Sequence, residues 1–228
     1  EATKYYQQLI NEGCNDHRIF SNYGVILKDL GKLEEAEILT RKAIEINSDF
    51  AEAYSNLGDI LGDLGKLEEA EILIRKAIEI KPYYVGAYCN LGNILKDLGK
   101  LEEAEISYRK AIEIKPDYAE AYYSLSLLKY SDNNQVWQDQ LFSKRILINK
   151  SQKENVIIYF AKANILHKRK KYEESSKYLK LANEFKLDIN PSKPKMILNK
   201  SKLLLIESDK KEINKKEYKS SFESIFIV

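Results

Sequence analysis

The chain has 228 residues, of which 44% are hydrophobic and 32% charged, and its net charge at neutral pH is +2. That balance suits a water-soluble helical protein, and no apolar run approaches the ~20 residues that a membrane-spanning helix needs. The two cysteines and two histidines exclude a disulfide framework and any metal site built on their spacing. Cys89 reads as a reduced thiol, which points to the cytoplasm. Residues 1–131 hold 16 Lys and Arg against 23 Asp and Glu, a net of −7, while residues 132–228 hold 21 against 12, a net of +9. A shift of this size predicts two functional halves.

In chain order, residues 1–16, opening EATKYYQQLI, read as the second helix of a partial unit, so the chain reads as a piece of something longer. From residue 17 the sequence repeats every 34 residues. Leu27–Ile38 reads LKDLGKLEEAEI, Leu95–Ile106 has the same letters, and Leu61–Ile72 differs only at Gly62. Three regular units follow at 17–50, 51–84 and 85–118. Within each, apolar residues at helical spacing predict an amphipathic first helix. Gly24, Gly58 and Gly92 sit inside that helix at a cost of about 1 kcal/mol relative to alanine. A cost tolerated at a fixed position predicts a steric need, met by a crossing helix that carries Ala36, Ala70 or Ala104. Gly31, Gly65 and Gly99 predict the first helix's end. A unit this small cannot bury its own apolar face, so the period predicts an all-α solenoid.

Residues 119–185 read as degenerate helices of the same type, with Ser126 and Ala163 in the glycine place and Val136–Ile148 as a divergent second helix. The basic run His167–Lys171 falls on the bend of the last unit, where a solvated loop is the expectation and nucleic acid is not. Residues 186–223 read as a helical connector containing a short helix at Lys195–Glu207. Residues 224–228, SIFIV, read as a strand.

The large aromatic, Leu-Gly, Ala and Pro at these spacings resemble the tetratricopeptide repeat family. Ser55-Asn56-Leu57-Gly58 is similar to the repeats of O-linked N-acetylglucosamine transferases. The resemblance implies antiparallel helix pairs stacked into a right-handed superhelix. From Tyr130 onward the order resembles bacterial proteins in which such repeats precede a sulfotransferase domain. Phe160-Ala161-Lys162-Ala163, Ala182-Asn183 and the strand Ile225–Val228 carry that resemblance. It implies a catalytic domain beyond Val228, opening with a Gly-x-x-Arg-Ser-Gly-Ser/Thr loop for the donor 3′-phosphoadenosine 5′-phosphosulfate. The chain itself is then no enzyme: it contains no catalytic, cofactor-binding or metal-ligating residue, and its role is to bind a protein or peptide. A free-standing adaptor and a self-associating scaffold are the other readings.

Asn22, Asn56 and Asn90 recur once per unit on the first helix, where asparagine is a poor helix former. The transferase resemblance implies a ladder gripping a peptide backbone; a bridge between adjacent helices fits the same residues. The ladder stops at Ser124. Neighbouring positions expected on the same concave surface are Arg18, Ser21, Val25, Lys28, Asp29, Glu52, Ser55, Asp59 and Asp63, continuing through Cys89, Asn93, Lys96, Asp97, Glu120 and Tyr123. The set is mostly acidic, which suits either a basic peptide or a solvated face.

Overall fold

The computed structural model describes residues 2–128 and 136–189, and among them eleven α-helices and one 3-10 turn. Helix α1 (Ala2–Asn11) leads into three helical hairpins. These are α2 (His17–Asp29) with α3 (Leu33–Ile46), α4 (Ala51–Asp63) with α5 (Leu67–Ile80), and α6 (Val85–Asp97) with α7 (Leu101–Ile114). The turn within each hairpin is set by its glycine. Gly31, Gly65 and Gly99 take φ of +75°, +76° and +77°, a region open to glycine at little cost. The reversal lets Lys32 N–H donate to the Leu27 carbonyl at 2.9 Å, and Lys66 and Lys100 repeat the bond to Leu61 and Leu95. Carbonyls that the helix end leaves without partners are thereby satisfied.

The last hairpin, α10 (Gln152–Lys168) with α11 (Tyr172–Ile189), makes the same turn without glycine. Lys170 stands at φ 59°, and Lys171 N–H donates to the Leu166 carbonyl at 2.9 Å. A left-handed conformation costs a residue with a Cβ about 1–2 kcal/mol. Lys170→Gly is therefore expected to stabilise the fold by about 1 kcal/mol and to raise the melting temperature by about 2–4 °C. A melting temperature that stays level or falls in calorimetry would show that Lys170 stores no such strain.

Successive first helices (α2, α4, α6) pack on one another, whereas α3, α5 and α7 mainly pack on the helices before and after them in the chain. Converging helices form the inner layer of a curved array and splayed ones the outer layer. From α4 onward the core is continuous, from Leu57 through Leu95, Tyr108 and Tyr122 to Ile158 and Ile165, and the first hairpin adds smaller clusters around Tyr23 and Phe20.

The glycine inside each first helix meets its steric need mainly at a side chain 16 residues on. A Cβ at Gly92 would lie 2.6 and 2.8 Å from Cδ1 and Cζ of Tyr108. At Gly58 it would lie 2.9 Å from Cδ1 of Ile74 and 3.1 Å from the Ala70 carbonyl. Thr40, Ile74 and Tyr108 are consequently wholly buried. In the last hairpin Ala163 holds the glycine place, and the corresponding residue, Leu179, is 39% exposed.

The regular pattern ends at α8 (Ala119–Leu127). Its second helix shrinks to α9 (Val136–Phe142), followed by a 3-10 turn at Lys144–Leu147, so the helix expected over Val136–Ile148 is broken at Ser143. Helix α10 then packs directly against α8, with Asn164 Nδ2 donating to Ser126 Oγ at 3.0 Å. Lys150 ties the corner, 2.8 Å from Asp117 and 2.9 Å from Glu154. Lys168 donates to the Leu128 carbonyl and Arg169 to Gln138, so part of the basic bend is anchored to the preceding unit. Helix α11 continues to Ile189, past residue 186 where a connector was expected. The remainder of that connector, its helix at Lys195–Glu207 and the strand at 224–228 lie outside the described residues.

Ion pairs cross from unit to unit on the outer layer. Arg41 reaches Glu37 and Glu69, both at 2.7 Å, and Lys66 reaches back to Glu37 at 2.8 Å. Arg75 and Lys100 repeat this around Glu71. Bonds from Lys66, then burial acting against them, then Arg41 set the Glu37 carboxyl, and its pKa falls below the ordinary glutamate value. Pairs this exposed contribute about 0.2–1 kcal/mol each.

Candidate peptide-binding face

The inner layer presents one face built from α2, α4, α6, α8 and α10. Asn56 and Asn90 lie on it half-buried, and each bridges to the unit before it. Asn56 Nδ2 donates to Ser21 Oγ at 3.0 Å, and Asn90 Nδ2 to Ser55 Oγ at 3.2 Å. The bridge proposed from sequence is thus present. It consumes one amide N–H, leaving the second N–H and the side-chain carbonyl of each asparagine at a one-unit spacing. Asn22 is exposed on α2.

Ser21, Ser55 and Cys89, expected on this surface, are instead buried beneath it. Ser21 and Ser55 are the acceptors beneath the asparagines. Cys89 holds their place in the third unit, where burial, with Glu120 and Asp59 nearby, pushes its thiol pKa up to about 12. Asn93 is also engaged, accepting from the Tyr108 hydroxyl at 2.8 Å.

The acidic surface is partly neutralised. Lys28 Nζ lies 2.6 Å from Asp59 and 3.6 Å from Asp63. Burial opposes the Lys28 charge, but the Asp59 bond and both carboxylates outweigh it and its pKa rises. Glu52 pairs with Lys81 at 2.6 Å and Lys96 lies 3.4 Å from Asp97. Arg18 turns to Asp16 at 2.6 Å, which with the N-cap bond from Arg18 N–H holds the Asp16 carboxyl down at about 2. Asp29, Asp97 and Glu120 are exposed on this surface. Val25 is half-buried.

Beyond α6 the face changes character. Tyr123 of α8, Ile157 and Phe160 of α10 and Ile189 of α11 line a cleft of about 370 Å³, with Lys153 and Lys186 at its edge. Of these residues only Tyr123 was expected on the concave face from sequence. The signal for the others was available: with Ala163 set on Gly58, Ile157 falls on Glu52 and Phe160 on Ser55. Among the described residues no group of His, Cys, Asp or Glu is arranged to hold a metal ion, and no helix is long and apolar enough to cross a membrane.

Comparison with known sequences accounts for this geometry. A sequence profile described as tetratricopeptide repeat matches residues 17–50, 51–84 and 156–188. A second profile of that description matches 73–106, and a third, described as TPR repeat, matches 92–132. This chain belongs to the tetratricopeptide-repeat family. Its repeats are interaction modules of the solenoid type. No curated protein matches the sequence. Among solved structures, the chain is similar to pilF of Pseudomonas aeruginosa, at 20% identity over 74% of this chain and 76% of that one, with a TM-score of 0.57. It is similar to an O-GlcNAc transferase of Thermobaculum terrenum at 24% identity and a TM-score of 0.50, over 64% of this chain and 25% of the transferase. The first TPR of Spaghetti (RPAP3), solved with an HSP90 peptide, shows 25% identity over 48% of this chain and 87% of its own, with a TM-score of 0.46. These likenesses concern the repeat fold.

Proposed function

We propose that the inner face binds an extended peptide through Asn56 and Asn90, with Asn22 as the outer rung. The observation that carries this reading is the pair of asparagine-to-serine bridges. They hold two amides in one orientation and leave donors and acceptors that match a peptide backbone. Recognition of backbone groups tolerates many sequences, and the surrounding Asp29, Asp97 and Glu120 favour basic ones. The chain serves as the substrate-recognition arm of a bacterial, cytoplasmic sulfotransferase that uses 3′-phosphoadenosine 5′-phosphosulfate, its catalytic domain lying beyond Val228. That finer reading is supported by the sequence resemblance at Phe160–Ala163, Ala182-Asn183 and Ile225–Val228. Reading the frame past Val228 tests it: a Gly-x-x-Arg-Ser-Gly-Ser/Thr stretch is expected, and unrelated sequence there would leave an adaptor.

The groove itself is tested by fluorescence anisotropy with a labelled, extended Lys-Ala peptide. Each asparagine contributes about 0.5–1.5 kcal/mol through neutral hydrogen bonds. Asn56→Ala with Asn90→Ala is therefore expected to weaken binding about 5- to 150-fold. Binding at the wild-type level, in a variant whose circular dichroism and melting are intact, would remove the asparagines from recognition.

A further inference from the structure

The inner face has two chemically distinct stretches, and the peptide-binding reading so far uses only one. Three residues before the glycine place of each first helix, the chain has Ser21, Ser55 and Cys89, all buried, and then Tyr123 and Phe160. Small polar residues give way to aromatic rings where α10 packs directly against α8. Tyr123 is 37% exposed and Ile189 40%, so the wall they form with Ile157 and Phe160 is open to a guest. The two cations at its edge, Lys153 and Lys186, are exposed, and neither makes an ion pair among the described residues. Lys28, Lys66, Lys81 and Lys100, by contrast, each have a carboxylate within 2.8 Å. Among the residues lining the cleft there is no acid.

Resting on the peptide-binding reading, we propose that this cleft takes one large apolar side chain of the bound peptide, flanked in that peptide by carboxylates. The apolar walls account for the side chain, and the lysines account for the flanking charge. The face as a whole then has polarity. A basic stretch of the ligand lies along α2 to α6 against Asp29 and Asp97, and an acidic, aromatic end lies against α8, α10 and α11. Opposite charge at the two ends sets the direction in which a chain lies in the groove, which backbone recognition by the asparagines alone does not.

The test uses the full 228-residue chain and three labelled pentapeptides: Glu-Asp-Phe-Glu-Asp, its Phe-to-Ala form, and Lys-Lys-Phe-Lys-Lys. The first is expected to bind, and loss of the ring or reversal of the flanking charge to weaken binding at least about tenfold. Lys153→Glu with Lys186→Glu should weaken the acidic peptide and strengthen the lysine peptide. Phe160→Ser, which restores the residue type of Ser55, should weaken both aromatic peptides alike. A photoreactive benzoyl-phenylalanine in place of the peptide's Phe should label Tyr123, Ile157 or Phe160. The proposal is overturned by equal affinity for all three peptides, by labelling elsewhere, or by binding that ignores the lysine reversals. It is overturned equally if the chain takes up dodecanoate at this cleft but no peptide, the mark of a lipid site. The two readings fail separately. Loss of the extended Lys-Ala peptide concerns the asparagines, and loss of the short acidic peptide with the Lys-Ala peptide still bound concerns the cleft alone.

Discussion

Gly92→Val lowers the melting temperature by about 6–12 °C, from a loss of about 3 kcal/mol. The added Cβ falls within 2.6 Å of a ring carbon of Tyr108. That ring is wholly buried, and its hydroxyl is fixed to Asn93 at 2.8 Å. Neither the ring nor the crossing helix has room to yield, because interiors are close-packed and overpacking forces off-rotamer side chains. Tyr108→Thr, which introduces the residue type found at Thr40, opens space at this contact. Combined with Gly92→Val it should cost less than the sum of the two single changes, as expected for residues in direct contact. Gly62→Ala supplies the contrast. Its Cβ would meet only side-chain carbons of Ile94, nearest the terminal one, and Lys28 and Lys96 occupy the corresponding place in the neighbouring units. Relieved of glycine's helix penalty, that variant should gain up to about 1 kcal/mol. Equal losses at Gly62 and Gly92 in thermal or urea unfolding would show that the helix crossing is not what selects the glycine.

Lys162→Met stabilises the protein at neutral pH by about 1–2 kcal/mol, the range typical of restoring a repeat's consensus character. Lys162 is 3% exposed and stands where the regular units have Tyr23, Leu57 and Leu91. Its ammonium lies 5.4 Å from the Tyr178 ring centre and 5.9 Å from that of Phe142. Arg169 sits 5.9 Å from the same Phe142 ring, so two cations share one aromatic. Such contacts return about 0.5–2 kcal/mol, but the ammonium has lost its water and among the described residues no carboxylate is paired with it. Burial accordingly holds the Lys162 pKa below its ordinary 10.5. The folded lysine binds its proton less tightly than the unfolded one, so the destabilisation is full below the lowered folded pKa. It fades as pH rises through that value and is gone above 10.5, where the unfolded lysine is neutral as well. The advantage of methionine should therefore narrow between neutral pH and about pH 10. An advantage constant with pH would assign the gain to packing, and a loss at neutral pH would show that the ring contacts outweigh desolvation.

The repeat was legible because it is a statement about local pattern. Apolar spacing, the C′ glycines Gly31, Gly65 and Gly99, and the need for a glycine at the helix crossing each rest on interactions within about 16 residues, although the crossing side chain is Thr40, Ile74 or Tyr108 more than the expected alanine. The period copies them, so one unit's logic holds for the next. The asparagines were legible as a periodic departure from helix preference. Their role was open between a peptide contact and a bridge, and the structure shows the bridge because the acceptor, Ser21 or Ser55, lies 35 residues away in the preceding unit. Ser21, Ser55 and Cys89 were misplaced on the open surface for the same reason. Position on a helix face says which way a side chain starts, and the next unit decides whether it is covered.

What the sequence determined alone is the unit: two helices, where they turn, and that they must stack. Local hydrogen bonding and steric exclusion settle those within one hairpin. What only the tertiary structure decided is how the array departs from its own period after Leu127. Helix α9 is too short to cover α8, α10 takes its place, and an aromatic cleft opens between Tyr123 and Phe160. That outcome rests on contacts between α8 and α10, such as the bond from Asn164 to Ser126 38 residues earlier, which no local pattern records.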